Sequence, residues 1–451
     1  MQSRKDHLQA YQFSVGRLVR AVAAGDAGAG EVPFRRSNLG VQIGVAIGVL
    51  LSGGAVIFGL ISPAASTAWK ANGSIVVEKE TGTRYVYLNG SLHPTANYAS
   101  ALLVAGQNNS AVQYVPRAQL AGVPVGGALG ISGAPDDVPA ASSLLPGTWA
   151  ACLRSNGNIV LDLDPAGRTA AGPQNQRVFV ASTDPNNPAE YVVWDSVKYP
   201  LPDQDALPAL GLGNQQPIAA DPVWLDQLPT GAAIVPANIP DGGDTGRQVA
   251  GQSADIGTLF LTSVGGANQY YVLLSDGLAP ITATEAALFA VAGYAAPAQV
   301  SPAAIAAVPA SADHTLISRL PNFLSGPIYN ATGPGGGSLC ALQSSPGAAA
   351  NTQVVTEPSA TIGADPSVVV PAGDGMLVQP PAPSQSSSSG SSTPAEFLIT
   401  DSGERYWIDS SDAQSALGYS SVGAHTVPVA VLRLVAAGPA LDIGAAKRAE
   451  T

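Results

Sequence analysis

The longest apolar run of the chain extends from Leu39 to Ile61 and contains no charged residue. It reads LGVQIGVAIGVLLSGGAVIFGLI, with Gln42 as its only amide side chain. Because a helix rises about 1.5 Å per residue, the run would extend about 35 Å, enough to cross a hydrocarbon core of about 30 Å. A buried helix of a soluble core is the alternative, but the length and uniformity of the run disfavour it. The pattern predicts a single transmembrane helix over residues 39–62.

A different spacing of apolar residues appears in residues 1–38. Apolar side chains recur there at steps of three and four, which places them on one face of an α-helix. A segment this short has no core of its own to cover that face, so we expect an amphipathic helix that binds a partner protein. Membrane lipid is the alternative, because basic residues lie on the same helix. The partner-binding stripe consists of Leu8, Tyr11, Val15, Leu18 and Val22.

Short patterns then recur along the remainder, residues 63–451. Tyr85 and Tyr271 each begin a β-like stretch that reaches a glycine, a leucine and, nine residues after the tyrosine, a proline. The same spacing separates Tyr191 from Pro200, and a looser pair of segments begins at Asp195 and Asp401. Chance similarity in a chain rich in Ala, Val and Gly is the alternative. We predict four repeats of strand and short helix at approximately residues 80–135, 190–232, 268–320 and 395–445.

Other β-like stretches lie between these repeats, and they predict a central β layer assembled from distant parts of the chain. The fold class is therefore α+β. Residues 379–394 read QPPAPSQSSSSGSSTP and predict a flexible loop. The intervening stretches are Asn158–Leu163, Arg177–Ala181, Gly257–Thr262 and Ser367–Val370.

Charge sets the expected topology. Residues 1–38 carry a net +3, whereas the whole chain carries −12, so the remainder carries −15. Basic residues that flank a span stay in the cytoplasm, which predicts a cytoplasmic N-terminus, a single pass through the membrane and a large C-terminal domain outside the cytoplasm. A cleaved signal peptide is the alternative, but the leader and the span are both too long for one. The acidic balance argues against nucleic acid as a partner.

The chain contains two cysteines, Cys152 and Cys340, both beyond the predicted span. In an oxidising compartment two cysteines indicate one disulfide. By closing a long loop, it would stabilise the folded chain by on the order of 4–5 kcal/mol in the chain-entropy model. Two separate buried thiols are the alternative.

No catalytic or metal-binding pattern is found. The chain has no phosphate-binding G-x-x-x-x-G-K-[ST] motif, and Gly333–Ser338 lacks the lysine that such a loop needs, so a turn leading into Cys340 is favoured. His7, His93, His314 and His425 are scattered without metal-ligand spacing. We interpret Asp136–Asp137 and Asp241 with Asp244 as turn residues rather than acid–base pairs.

The N-terminal block SRKDHLQAYQFSVGRLVRAV, followed by a single span, resembles the EccB family of the type VII (ESX) secretion system. The resemblance continues through Arg84–Val86, the stretch Val115–Asp137, Gly147–Cys152 and Ser338–Cys340, and it covers essentially the whole chain.

The resemblance implies a structural subunit of an inner-membrane secretion complex, beside EccC, EccD and EccE. It also implies a Cys152–Cys340 disulfide, a central β domain flanked by four repeats, and dimerisation of the periplasmic domain within a hexameric assembly. The family carries an ATPase designation, so ATP hydrolysis is kept as an alternative, although the residues show no cofactor site for it. Anchoring to the cell wall is a further alternative, because the family's repeat fold is similar to a wall-binding subunit.

Overall fold

The computed structural model describes residues 4–25, 35–61, 67–106, 112–332, 336–344, 352–358, 367–381 and 395–448. The chain divides into two compact units, Met1–Ala68 and Trp69–Thr451. Most of the predicted Ser/Pro-rich loop, residues 382–394, lies outside the described residues.

The N-terminal unit contains two helices, α1 (Arg4–Ala24) and α2 (Arg35–Ile61). The helix predicted from the apolar stripe is therefore present as α1. Within the described residues, no helix meets both the length and the hydropathy that a membrane span requires. The prediction that residues 39–62 cross a membrane is not confirmed by the structure.

The strands and α-helices of the C-terminal unit begin with three strands, a helix, a fourth strand and a second helix, and the strands of a further sheet follow. The first group comprises β1 (Ser74–Glu78), β2 (Arg84–Leu88), β3 (Ser91–Pro94), α3 (Tyr98–Ala105), β4 (Gln113–Val115) and α4 (Arg117–Leu120). Two strands follow, β5 (Trp149–Leu153) and β6 (Ile159–Asp162). The next group comprises β7 (Val178–Ser182), β8 (Glu190–Trp194), β9 (Val197–Pro200), α5 (Ala206–Ala209), β10 (Ile218–Ala220) and α6 (Pro222–Leu225).

The second half of this unit repeats that succession. A hairpin of β11 (Thr245–Val249) and β12 (Gln252–Asp255) precedes β13 (Leu259–Val264), β14 (Ala267–Leu273), β15 (Leu278–Ile281), α7 (Ala283–Val291), β16 (Ala298–Gln299), α8 (Pro302–Ala306) and α9 (Thr315–Arg319). Three strands follow, β17 (Ser338–Gln343), β18 (Thr352–Glu357) and β19 (Val368–Val369). The chain then forms β20 (Gly375–Gln379), β21 (Glu396–Thr400), β22 (Glu404–Ile408), α10 (Ser411–Ala416), β23 (His425–Thr426), α11 (Val429–Leu432), β24 (Ala436–Ala437) and α12 (Ile443–Ala446).

Four of the sheets formed by the described residues share one connectivity. We call them sheet 1 (β1–β4), sheet 2 (β7–β10), sheet 3 (β13–β16) and sheet 4 (β20–β24). In each, three consecutive strands form an antiparallel meander, a helix follows, and the next strand returns parallel to the first. A later segment then pairs in parallel with the third strand, as Lys198 does with Thr230 in sheet 2. The mixed α+β fold is confirmed.

The nine-residue spacing from tyrosine to proline is the register of a hairpin. Tyr85 lies opposite Pro94, Tyr191 opposite Pro200, and Tyr271 opposite Pro280 in the antiparallel pairing of the second and third strands. Asn89 and Gly90 connect β2 to β3, and they adopt positive φ angles of 47° and 88°, as a two-residue type I′ turn requires. The prediction differs from the structure at the first strands of sheets 2 and 3. The sequence pattern assigns Arg177–Ala181 and Gly257–Thr262 to the stretches between repeats, whereas β7 and β13 pair within sheets 2 and 3.

In sheets 1, 3 and 4, the helix after the third strand begins at a polar capping residue, whereas α5 of sheet 2 has no side-chain cap. The side chains of Asn97, Thr282 and Ser410 each accept a hydrogen bond from the backbone N–H three residues later. This satisfies one of the N–H groups that a helix start leaves unpaired, and it fixes where the chain turns from strand to helix.

A fifth sheet, the central sheet, has the strand order β18-β17-β5-β6-β19. One of its faces packs against sheets 2 and 4 in a common core that contains Trp149, Trp224 and Met376. Sheet 1 shares a second core with sheet 4, where α3 contacts α10 and α12. Sheet 2 shares a third core with the α7 region of sheet 3, where α5 contacts α7. The helix that follows the third strand therefore makes the contact in both pairs, sheet 1 with sheet 4 and sheet 2 with sheet 3.

Candidate functional site

The apolar stripe on α1 is exposed within the N-terminal unit. The exposed fractions of its five residues run from 41% at Val15 to 77% at Val22. Phe13 and Val19, which the predicted stripe did not include, are exposed to 70% and 61%. Contiguous exposed apolar surface of this kind is typical of protein–protein and membrane interaction sites in general.

The structure joins Cys152 and Cys340 in a disulfide at the middle of the central sheet. The two cysteines lie directly opposite each other in the pairing of β5 with β17, and both are fully buried. The bond connects positions 188 residues apart in sequence, so it fixes the two halves of the C-terminal unit to one sheet.

A buried carboxyl group lies against this disulfide. Glu357, at the end of β18, is 2% exposed, and its Oε2 lies 3.3 Å from Sγ of Cys152 and 3.7 Å from Sγ of Cys340. Arg168 Nε lies 3.8 Å from Oε1 of the same carboxyl group. Arg168 also donates from Nη2 to Asp162 Oδ1 and to the carbonyl oxygen of Asp164. We call Asp162, Arg168 and Glu357 the acid cluster.

The acid cluster contains two buried carboxyl groups and one guanidinium. Burial raises the pKa of Glu357, the charge of Asp162 raises it further, and Arg168 opposes both effects. Burial also raises the pKa of Asp162, against the backbone N–H of Asp164 and the charge of Arg168. Burial therefore outweighs the single guanidinium at both carboxyl groups, and the pKa of each is raised.

A second buried ion pair lies between sheets 2 and 3. Arg319 donates from Nε to Glu285 Oε1 at 2.9 Å and from Nη2 to Oε2 at 2.8 Å, and Glu285 is fully buried. Arg319 Nη2 also donates to the carbonyl oxygen of Val235 at 2.7 Å, in the segment that leads from sheet 2 to sheet 3. This pair holds α7, α9 and the connecting segment together.

The sequence candidates for acid–base or metal chemistry are not brought together. His93 Nδ1 lies 3.1 Å from the carbonyl oxygen of Gly127, and His425 lies in β23. Asp136 accepts hydrogen bonds from Arg84 Nη1 at 2.7 Å and from the backbone N–H of Tyr98 at 3.0 Å, which makes it a brace for the start of α3. In the part of the chain that the structure describes, the ligand atoms close enough to hold a metal belong to Cys152, Cys340 and Glu357.

The glycine-rich segment before β17 packs closely on backbone. Residues 333–335 lie outside the described residues. A Cβ atom on Gly337 would meet the carbonyl oxygen of Glu357 at 2.5 Å, so this position accepts no side chain. Tyr329 Oη donates to the carbonyl oxygen of Gly337 at 3.0 Å.

The whole chain, residues 1–451, matches the family model described as type VII secretion system ESX-1, transport TM domain B, EccB. The chain belongs to the EccB family. Among curated EccB proteins, the ESX-3 secretion system ATPase EccB3 of Mycolicibacterium smegmatis is 27% identical over 98% of this chain and 89% of its own length. The ESX-1 secretion system ATPase EccB1 of Mycobacterium tuberculosis is 26% identical over 98% of this chain and 94% of its own length.

Solved EccB structures share the fold. The EccB3 dimer from the ESX-3 core complex has a TM-score of 0.59 at 27% identity, over 83% of this chain and 100% of that chain. A chain of the intact ESX-5 inner membrane complex has a TM-score of 0.61 at 22% identity, over 100% of this chain and 96% of that chain. The small sheets described above are therefore those of EccB proteins.

Sequence reasoning about this EccB chain did not find the acid cluster or the Glu285–Arg319 pair. The available signal was a charged residue within or next to an apolar strand, in a chain where only 12% of residues are charged. Asp162 ends the run Ile-Val-Leu-Asp of β6, and Glu357 ends β18. A buried strand carries such a residue only when a partner meets it, so these positions were candidates for buried pairs.

Proposed function

We propose that this chain is a structural subunit of a type VII (ESX) secretion complex of the inner membrane. The observation that carries the proposal is the EccB family match over residues 1–451. The shared fold of solved EccB chains from ESX complexes supports it. In this role the protein links the cytosolic and membrane part of the complex to its own large periplasmic domain.

The proposed topology has three parts. Residues 1–38 lie in the cytoplasm, residues 39–62 cross the membrane, and residues 63–451 form the periplasmic domain; α2 (Arg35–Ile61) contains residues 39–61 of this span. The net charge of +3 before the apolar run and −15 after residue 38 supports this orientation. The family description, which names a TM domain, supports the membrane position.

We further propose that the sheets 1 to 4 are repeats of one unit arranged around the central sheet. Their common connectivity and the common hairpin register support this interpretation. We propose that the domain self-associates and that dimers build a hexameric assembly; the EccB3 dimer of the ESX-3 core complex supports the self-association.

The stripe on α1 is proposed to bind EccC-, EccD- or EccE-type subunits. The test is detergent pull-down of the full chain with Leu8, Tyr11 and Leu18 replaced by serine. The expected result is loss of partner subunits, because the apolar contact area is removed. Serine at Gln9, Gln12 and Gln2 is the matched control on polar positions of the same segment, and unchanged recovery with the stripe variant contradicts the proposal.

ATP hydrolysis is the second candidate, because curated EccB relatives carry the name ATPase. Clefts beside sheets 2 and 4 have volumes of about 420 and 370 Å³. The residues that line them include Glu190 and Glu396 but no lysine or arginine. Acidic clefts repel a triphosphate, so we favour the structural role. Phosphate release by the purified chain that persists through further purification and is abolished by Glu190→Lys or Glu396→Lys would favour the enzyme instead.

A further inference from the structure

Three potential ligand atoms meet in the core of the central sheet. Sγ of Cys152, Sγ of Cys340 and a carboxylate oxygen of Glu357 lie within 4.8 Å of one another, and all three residues are buried. They come from β5, β17 and β18, which are adjacent strands of one sheet. The sheet therefore holds these positions together whether or not the sulfurs are bonded.

The chemistry of this group depends on the state of the sulfurs. In the disulfide, neither sulfur is a thiolate, and the thiolate is the form of cysteine that binds a metal. Two thiolates with one carboxylate form a ligand set that suits Zn²⁺ and its softer analogue Cd²⁺.

The charge around the sulfurs also favours a cation. Asp162 and Glu357 are each 2% exposed and share one guanidinium, that of Arg168. Asp162 Oδ2 is buried without a hydrogen-bond partner. The acid cluster therefore contains one more acid than base, and an added cation offsets the difference.

We propose that reduction of the disulfide converts Cys152, Cys340 and Glu357 into a binding site for a soft divalent cation such as Zn²⁺. A phosphine or dithiol reductant supplies the two electrons that break the S–S bond, and each sulfur takes up one proton. The cation then displaces both protons to solvent as the two metal–sulfur bonds form. The disulfide and the metal are thus alternative crosslinks between β5 and β17.

The test uses Cd²⁺ as the probe on the full chain in detergent. The chain is unfolded in denaturant, its disulfide is reduced with a phosphine, and it is refolded with equimolar Cd²⁺. The thiolate-to-cadmium charge-transfer absorption and the retained metal are then measured. One Cd²⁺ per chain is expected, with none on the chain refolded with its disulfide intact. Glu357→Gln should weaken binding by about 10–100-fold or more, the loss typical of removing even an indirect metal contact. Glu396→Gln, in another sheet, is the matched control and should bind as the parent does.

Two results overturn the proposal: a folded, reduced chain without Cd²⁺, or a Glu357→Gln variant that binds as tightly as the parent. If the reduced chain does not refold, the native chain is treated with the phosphine in the presence of Cd²⁺ and desalted. Retained Cd²⁺ in proportion to the opened disulfide supports the site. Opened thiols without Cd²⁺ contradict it, and so does a disulfide that the reductant cannot open, because the site then never forms in the folded chain.

Discussion

The ring of Tyr199 lies so close to Gly231 that a Cβ atom on the glycine would meet a ring carbon at 2.2 Å. The N–H of Gly231 donates to the carbonyl oxygen of Lys198, the residue just before the tyrosine. The segment of Gly231 thereby pairs in parallel with the third strand of sheet 2, and the Tyr199 ring occupies the space that a side chain on Gly231 would fill.

The same contact recurs in other sheets. The ring of Tyr406 would meet a Cβ on Gly438 at 2.3 Å, and the ring of His93 would meet a Cβ on Gly126 at 2.3 Å. In sheet 3 the equivalent hydrogen bond runs from Ser311 to the carbonyl oxygen of Leu278, and the next residue of that strand is Ala279. At this contact in sheet 3, two small side chains thus replace the large ring and the glycine of the other sheets.

Gly231→Ala tests this contact. The added methyl group forces the Tyr199 ring or the backbone to move, and we expect a loss of about 1–3 kcal/mol in the free energy of unfolding. Gly423→Ala is the control, because a Cβ at that position meets nothing within 4 Å. Denaturant unfolding of the two variants in parallel measures the difference.

A double variant separates crowding from backbone strain. Tyr199→Ala with Gly231→Ser copies the small pair of sheet 3, so its loss should be smaller than the sum of the two single losses. Additive losses would show that the ring and the glycine are not coupled.

Tyr419→Phe tests the packing of sheet 1 on sheet 4. The buried Tyr419 Oη donates to the carbonyl oxygen of Pro139 at 2.7 Å. Pro139 lies after sheet 1 and Tyr419 lies after α10 of sheet 4, so this hydrogen bond joins residues 280 positions apart. Removal of the hydroxyl leaves the acceptor unpaired, which costs about 1–3 kcal/mol. The exposed Tyr114→Phe is the control, and a loss no greater than the control's would count against a paired arrangement of these sheets.

Arg319→Met tests the buried pair between sheets 2 and 3. The variant leaves the carboxyl group of Glu285 buried without its cation, and we expect a loss of about 3–5 kcal/mol in the free energy of unfolding at neutral pH. Addition of Glu285→Leu should recover part of that loss. A single variant as stable as the parent would mean that Arg319 does not hold this joint.

The same glutamate predicts a pH dependence. Burial raises the pKa of Glu285 above its ordinary value of 4.5, and the Arg319 guanidinium opposes the rise. A raised pKa in the folded state contributes stability that is fully present below pH 4.5 and is lost as pH rises through the folded-state pKa. In Glu285→Gln this contribution is absent, so stability should fall less with rising pH than in the parent. Unfolding midpoints across that range measure the slope, with the exposed Glu80→Gln as the control; equal slopes in the parent and Glu285→Gln would exclude the effect.

Some features of this chain were predictable from local pattern. The steps of three and four from Leu8 to Val22 predict α1, and the spacing of tyrosine to proline predicts a strand pair because it equals the hairpin register. Both signals arise within one element or between neighbours in sequence, where geometry is set by the helix period or by a tight turn.

Other features depend on contacts between distant residues. The first strands β7 and β13 are apolar runs, and nothing in such a run tells whether it joins the central sheet or a neighbouring hairpin. The short parallel strands β16, β23 and β24 have two residues each, too few to show a period. The acid cluster joins residues from β6, β18 and the segment after β6, and that proximity exists only in the folded sheet.

The central claim is that this chain acts as a structural component of an ESX membrane complex. The most direct measurement is the mass and subunit composition of the complex that the full chain forms when its membrane is solubilised in mild detergent. The account predicts a large assembly that contains several copies of this chain together with EccC-, EccD- and EccE-type subunits. Recovery of the chain alone, as a monomer without those subunits, would contradict it.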